Sequence, residues 1–222
     1  MSEKTHWNRR EMAEKGFTFV FPYSEGLKRV RELLNTDYDP AVLWVWGTMQ
    51  ARAVIETLKA CESDFGEKGQ KVVYEALKKV GREVAEQMIS SSKFEGMDEA
   101  ELLSFFATIV NTIAYASIEK PWVESEERVG FDILWCPHQD VYSAFDCRVQ
   151  RYFVQGMLEA LREKYEKETG KKLKWQVKFE TTIPAGADVC RFVIWRSESE
   201  DNEWEKYTEL LNRKALNGKN IL

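Results

Sequence analysis

The chain has 222 residues, 44% of them hydrophobic and 31% charged, with a net charge of −5. That is enough apolar material for a sizeable core, and it excludes a disordered chain. Lys and Arg are interspersed with Asp and Glu, so the basic stripe expected of a nucleic-acid binder is missing. The longest apolar run, Ala41-Val42-Leu43-Trp44-Val45-Trp46, falls far short of the roughly 20 residues that span a bilayer. The start, Met1-Ser2-Glu3-Lys4-Thr5-His6, has no apolar signal core. We therefore expect a cytoplasmic protein with no membrane or nucleic-acid partner, whose four cysteines are thiols, packing residues or metal ligands rather than disulfides.

In chain order, residues 3–16 and 24–35 read as short helical pieces around the aromatic stretch Phe17 to Pro22. Asp39-Pro40 is a helix start, a capping side chain followed by a proline whose missing N–H costs nothing there. That helix should run to about Cys61, with Leu43, Trp46, Val54 and Leu58 inward, and break around Ser63 to Gly66. From Lys71 a helical period resumes, with Val72, Val73, Ala76, Leu77, Val80, Val84, Met88 and Ile89 on one face. Gly81 interrupts this face, and close helix packing is the commoner reason for such a glycine. A further helix from about Asp98, with Leu102, Leu103, Phe106, Ile109, Val110 and Ile113 inward, should end at Pro121.

The period then changes to two. Val129, Phe131, Ile133 and Trp135 alternate with their neighbours as a strand does. Residues 140–169 read as a long helix stopped by Gly170. Leu173, Trp175, Val177 and Phe179 predict a strand with one buried face, which implies antiparallel pairing. A turn at Pro184 to Asp188 leads into a second strand, Val189 to Trp195, as a hairpin. Asp201 to Asn212 closes the chain as a helix, and the last residues should fray. The predicted fold is α+β, a single domain: a helical half (1–121), then a small, mainly antiparallel sheet with a long helix packed on it (122–222).

The residues that carry chemistry are few. There is no glycine-rich phosphate loop, no G-x-S-x-G and no H-E-x-x-H, and with only His6 and His138 a multi-histidine metal site is excluded. What remains is Trp135-Cys136-Pro137-His138-Gln139-Asp140, then Asp146-Cys147-Arg148, then Gly186-Ala187-Asp188-Val189-Cys190-Arg191-Phe192. Cys136 ends one strand, Cys147 lies on the helix after it and Cys190 opens the last strand, so these groups can share one pocket. Cys136, His138, Cys147 and Cys190 also make up a Cys3His set of the type that binds zinc, although the spacing of the first two is too short for a finger. Against these stand ordinary roles: buried packing for the cysteines, a helix cap for Asp140, and solvated ion pairs for Arg148 and Arg151.

A strand ending in cysteine, a helix carrying Asp146 and Cys147, and the late G-x-D-x-C-x-F hairpin together resemble the L-2-amino-thiazoline-4-carboxylic acid hydrolase family. The helix from Val72 to Met88 with its Gly81 resembles the upstream part of that family, and the resemblance spans roughly residues 65–196. It implies hydrolytic opening of a small cyclic amidine or amide at its C=N or C–N carbon. Such a reaction needs a nucleophile, for which Cys136 or Cys147 is available. It needs a proton carrier, for which His138, Asp140 or Asp146 is available. It also needs a cation for the substrate carboxylate, for which Arg148 or Arg191 is available; Cys190 is placed beside the substrate. No cofactor and no metal is implied. Whether the protein is an enzyme stays open at this point, as does homo-oligomerisation. The competing class is a non-catalytic protein that binds a small molecule or a metal through these cysteines.

Overall fold

The computed structural model describes residues 40–90, 94, 98–109, 117–199 and 201–218. The helical pieces expected at 3–16 and 24–35, the Asp39 cap and the frayed terminus lie outside these residues. The fold is α+β. Helix α1 (Pro40–Ile89) and helix α2 (Glu99–Ile109) come first, then strands β1 (Ile118–Ser125) and β2 (Arg128–Trp135). Helix α3 (Arg148–Thr169), strands β3 (Trp175–Thr181) and β4 (Cys190–Arg196), and helix α4 (Glu203–Asn217) complete it. The four strands form one antiparallel sheet in the order β1-β2-β4-β3.

Helix α1 runs through the break expected at 63–66. The interruption is one residue, Gly66, with φ 58° and ψ −136°. Glycine adopts that conformation without the Cβ clash other residues meet, so the expected loop is a kink instead.

The inward face of α1 after the kink is rotated from the expected one. Val73, Ala85, Met88 and Ile89 are buried, whereas Val72 is 61% and Val80 46% exposed. The reason is a backbone crossing. A Cβ placed on Gly81 would sit 1.9 Å from the carbonyl oxygen of Phe153 on α3, and one on Gly156 would sit 1.9 Å from that of Lys78 on α1. The two helices touch main chain to main chain, so Gly81 must point straight at α3. Residues 77, 84, 85 and 88 share its face at three- and four-residue spacing. Residues 72, 76 and 80 fall one position, about 100°, away.

A buried ion pair fastens the same two helices further along. Arg148 donates from Nη2 to both Glu62 carboxylate oxygens, at 2.8 and 2.7 Å, and from Nη1 to the Phe145 carbonyl at 2.9 Å. Gln70 also donates to Glu62, at 2.6 Å. Both charged side chains are almost wholly out of water, so Arg148 is not the solvated residue its sequence suggests.

Three further differences concern element limits. Pro121 does not end a helix; it lies inside β1, a strand with no clear alternation of its own. The strand tolerates it because β1 is an edge strand, where one N–H fewer costs the sheet least. The long helix begins at Arg148 rather than 140, because residues 137–147 are wound into turns, with the Val141 and Tyr142 amides bonded to the His138 carbonyl. The final helix starts two residues late, where the Asn202 side chain accepts from the Glu205 amide as its cap, and it runs on to Asn217. Gly170 does close α3, at φ 69° with its amide on the Glu166 carbonyl.

Helix α3 is the centre of the molecule. One side carries Val149 and Tyr152, packed with Ala51, Ile55, Leu58 and Val73 of α1. The other carries Met157, Leu158 and Leu161, packed on Val129, Phe131, Ile133, Val177, Phe192 and Ile194 of the sheet.

Three outcomes test this packing. Gly81→Ala should lower the unfolding free energy by about 3 kcal/mol, the cost of forcing volume into a filled contact. Gly47→Ala, where a Cβ meets nothing within 4 Å, should instead gain up to about 1 kcal/mol. Glu62→Ala should cost about 3–5 kcal/mol by stranding the Arg148 charge. Urea denaturation of the variants reads all three.

Candidate functional site

A cavity of about 210 Å³ lies between the sheet, the N-terminal half of α3 and helix α4. Its walls are mostly apolar: Leu103 and Phe106 from α2, Ile133 from β2, Met157 and Leu158 from α3, Phe179, Phe192 and Ile194 from the sheet, and Trp204 from α4. The aromatic rings interlock, with Phe192 5.0 Å from Phe179 and 5.8 Å from Trp204 between centroids. Phe145, Tyr207 and Lys214, all exposed, stand at its edge.

Cys136, Cys147, Cys190 and His138 all line this cavity. The topology explains why. Cys190 pairs in register with Ile133, three residues before Cys136, so the end of β2 and the start of β4 meet at one end of the sheet. Cys147 immediately precedes α3, and the turns of 137–147 bring that helix back over the same end. The Cys136 amide donates to Gln139 Oε1 at 3.0 Å, and the Cys190 Sγ accepts from the Ile183 amide at 3.1 Å. His138 is stacked on Tyr142, with centroids 5.2 Å apart, and Tyr142 is tied through its hydroxyl to the Ala51 carbonyl of α1.

Burial sets the protonation states. It pushes the Cys136 thiol up to about 11 and the Cys147 thiol up to about 12, and raises Cys190 as well. All three are neutral thiols at pH 7. Burial acts on His138 in the opposite direction, lowering it to about 4, so its imidazole is neutral too.

The remaining sequence candidates stand elsewhere. Asp140 is exposed and caps no helix, since α3 starts eight residues later. Asp146 is buried beneath the turn, accepting from the Ser143 amide at 2.9 Å, with Lys59 at 3.5 Å and Arg148 at 3.8 Å. Arg148 is engaged with Glu62. Arg191 points from the opposite face of the sheet and makes a two-pronged contact with Asp132, at 2.8 Å on each side. Among the described residues no three Cys, His, Asp or Glu side chains group as a metal ion requires. The Cys3His zinc set is thus not assembled.

The cation that reaches the inside of the cavity is Arg151, for which the sequence suggests a solvated ion pair. It is 3% exposed and lines the wall. Its guanidinium lies 3.7 Å from the Trp204 ring centroid, donates from Nε to Thr208 Oγ1 at 2.8 Å, and from Nη2 to the Trp204 carbonyl at 2.7 Å. Burial lowers its pKa to about 10, where it remains charged. The available signal was its position, three residues beyond Arg148 and four beyond Cys147.

The depressed His138 has a stability consequence. Between its unfolded value near 6.5 and its folded value of about 4, the unfolded chain binds a proton that the folded chain does not. Stability should therefore be full above pH 6.5 and fall by about 2–3 kcal/mol as the pH drops to 4. His138→Phe should flatten that part of the profile, read by thermal unfolding across pH.

A model of the family described as L-2-amino-thiazoline-4-carboxylic acid hydrolase matches residues 46–194, well over half of the chain. The matched span contains Cys136, His138, Cys147, Arg151 and Cys190. Among solved structures, the chain is similar to a trafficking protein particle complex subunit 3 from Naegleria fowleri, crystallised covalently bound to palmitic acid. That likeness has 12% identity and a TM-score of 0.39 over 69% of this chain and 96% of that one. Among the described residues no helix is long and apolar enough to cross a membrane.

Proposed function

We propose a reaction from one premise: the chain belongs to the L-2-amino-thiazoline-4-carboxylic acid hydrolase family, and its function is hydrolase-like. The substrate is a small cyclic amidine or amide held in the apolar cavity and opened by water at its C=N or C–N carbon. The observation that carries this reading is that Cys136, Cys147, Cys190 and His138 all line one cavity.

The neutral state of the thiols fits an amidine substrate. A thiolate is the usual nucleophile, but a thiol beside a basic C=N nitrogen can surrender its proton to that nitrogen while sulfur bonds to the carbon. The nucleophile is then generated by the substrate and not in the empty site. The ring bond at that carbon next breaks, its departing atom taking up the proton the thiol gave, which leaves an unsaturated carbon bound to the cysteine sulfur. Water adds to that carbon, the carbon–sulfur bond breaks and the thiol regains a proton. The net change is one water consumed. His138, neutral throughout the physiological range, can accept the water's proton and pass it to the departing cysteine sulfur. Cys136 and Cys147, which both line the cavity, are the candidates for the addition.

A second reading, ligand binding without chemistry, is favoured by the same apolar walls and the absence of a standing thiolate. The two separate cleanly. Wild-type protein should open 2-amino-thiazoline-4-carboxylate or a related cyclic amidine, with the ring-opened product quantified by mass spectrometry. Either Cys136→Ser or Cys147→Ser should abolish turnover while the variant still folds. Ligand binding without turnover, unchanged in both serine variants, would establish the second reading and remove the first.

A further inference from the structure

We infer that the cavity selects an anionic ligand with an apolar body, whose carboxylate is seated on Arg151. The inference rests on the preceding reading only in taking this cavity as the ligand site, and it requires no hydrolysis.

The argument begins with an imbalance of charge. Arg151 is 97% withdrawn from water, yet among the described residues no carboxylate pairs with it. Two of its nitrogens are satisfied, Nε by Thr208 and Nη2 by the Trp204 carbonyl. The third, Nη1, has no acceptor among the described residues. The neighbouring rings of Trp204 and Tyr207, at 3.7 and 5.1 Å, offer only their faces to the cation. A stacked ring recovers part of the lost hydration of a guanidinium, but a buried charge without an opposite charge is costly to maintain. Its neighbour on the helix shows the alternative: Arg148, equally buried, has its own carboxylate in Glu62.

The cavity wall supplies the second half of the argument. Of the described side chains that line it, two are charged, Arg151 and Lys214, and both are cations; no Asp or Glu is among them. Lys214 stands at the exposed edge, Arg151 inside. The remainder is mainly aliphatic and aromatic. An anion entering such a space meets one fixed, pre-oriented guanidinium whose Nη1 is unengaged, with no competing acid. The contacts of Nε and Nη2 already hold the guanidinium plane in place, so little side-chain entropy is lost on binding. The apolar walls favour a hydrocarbon or aromatic body over a sugar or a nucleotide, whose hydroxyls would find few partners here.

Matched pairs of probes test this. Octanoate and 3-phenylpropanoate each differ from their amides by the charge and little else, and calorimetric titration gives affinities for all four. For the intact protein the acids should bind about tenfold or more tightly than the amides, the difference that a charge-assisted hydrogen bond supports. Arg151→Met should erase that preference while keeping amide affinity, and Arg151→Lys should retain part of it. Equal binding of acid and amide, or no binding of any probe, overturns the proposal using wild-type protein alone, whether or not the variants fold. Acid preference without turnover of any cyclic amidine leaves this inference standing and removes only the hydrolytic one.

Discussion

The structure depends on one contact, the crossing of α1 and α3 at Gly81 and Gly156. Main chain rests on main chain there, so the helices approach more closely than even an alanine methyl at either glycine would allow. That distance fixes the rotation of α1 and sends Val72 and Val80 to the surface. It also brings Glu62 within reach of Arg148. With Arg148 anchored, the first turn of α3 is fixed, and Cys147 and Arg151 lie within four residues of the anchor. The cavity wall is thus held by a steric constraint and a buried ion pair, both outside the cavity.

The two buried arginines show how one helix can carry opposite solutions to the same problem. Arg148 is neutralised internally by Glu62, which makes it a structural element. Arg151 is held by a hydroxyl, a carbonyl and an indole face, none of which carries a full negative charge. The first residue spends its charge on folding; the second keeps it for whatever enters the cavity. Sequence alone cannot separate them, since both are arginines on one helical stretch with acids nearby.

Much of the architecture was legible in the sequence. The alternation of Val129, Phe131 and Ile133, and that of Trp175, Val177 and Phe179, marks strands with one buried face. The αL glycine at 170 marks a helix end. Cys136, His138, Cys147 and Cys190 were singled out because they sit at strand ends and at a helix start, and such ends share a rim of the sheet. The failures have physical causes. Strand β1 was invisible because an edge strand with Glu119, Lys120 and Pro121 carries no hydrophobic period, and the proline reads as a helix stop. The phase of α1 was misread because valine suggests burial, whereas a glycine crossing decides the face. The burial of Arg151 depends on Trp204 and Thr208, more than fifty residues away, and no local pattern reveals it.

The raised thiols have a consequence of another kind. Peroxides and disulfides are attacked by thiolate, and the protonated form reacts slowly. A pocket that keeps Cys136, Cys147 and Cys190 protonated therefore also protects them from oxidation. Three thiols lining one cavity would otherwise be open to oxidation whenever the redox balance shifted. Here the same apolar walls that raise the thiols also slow their oxidation.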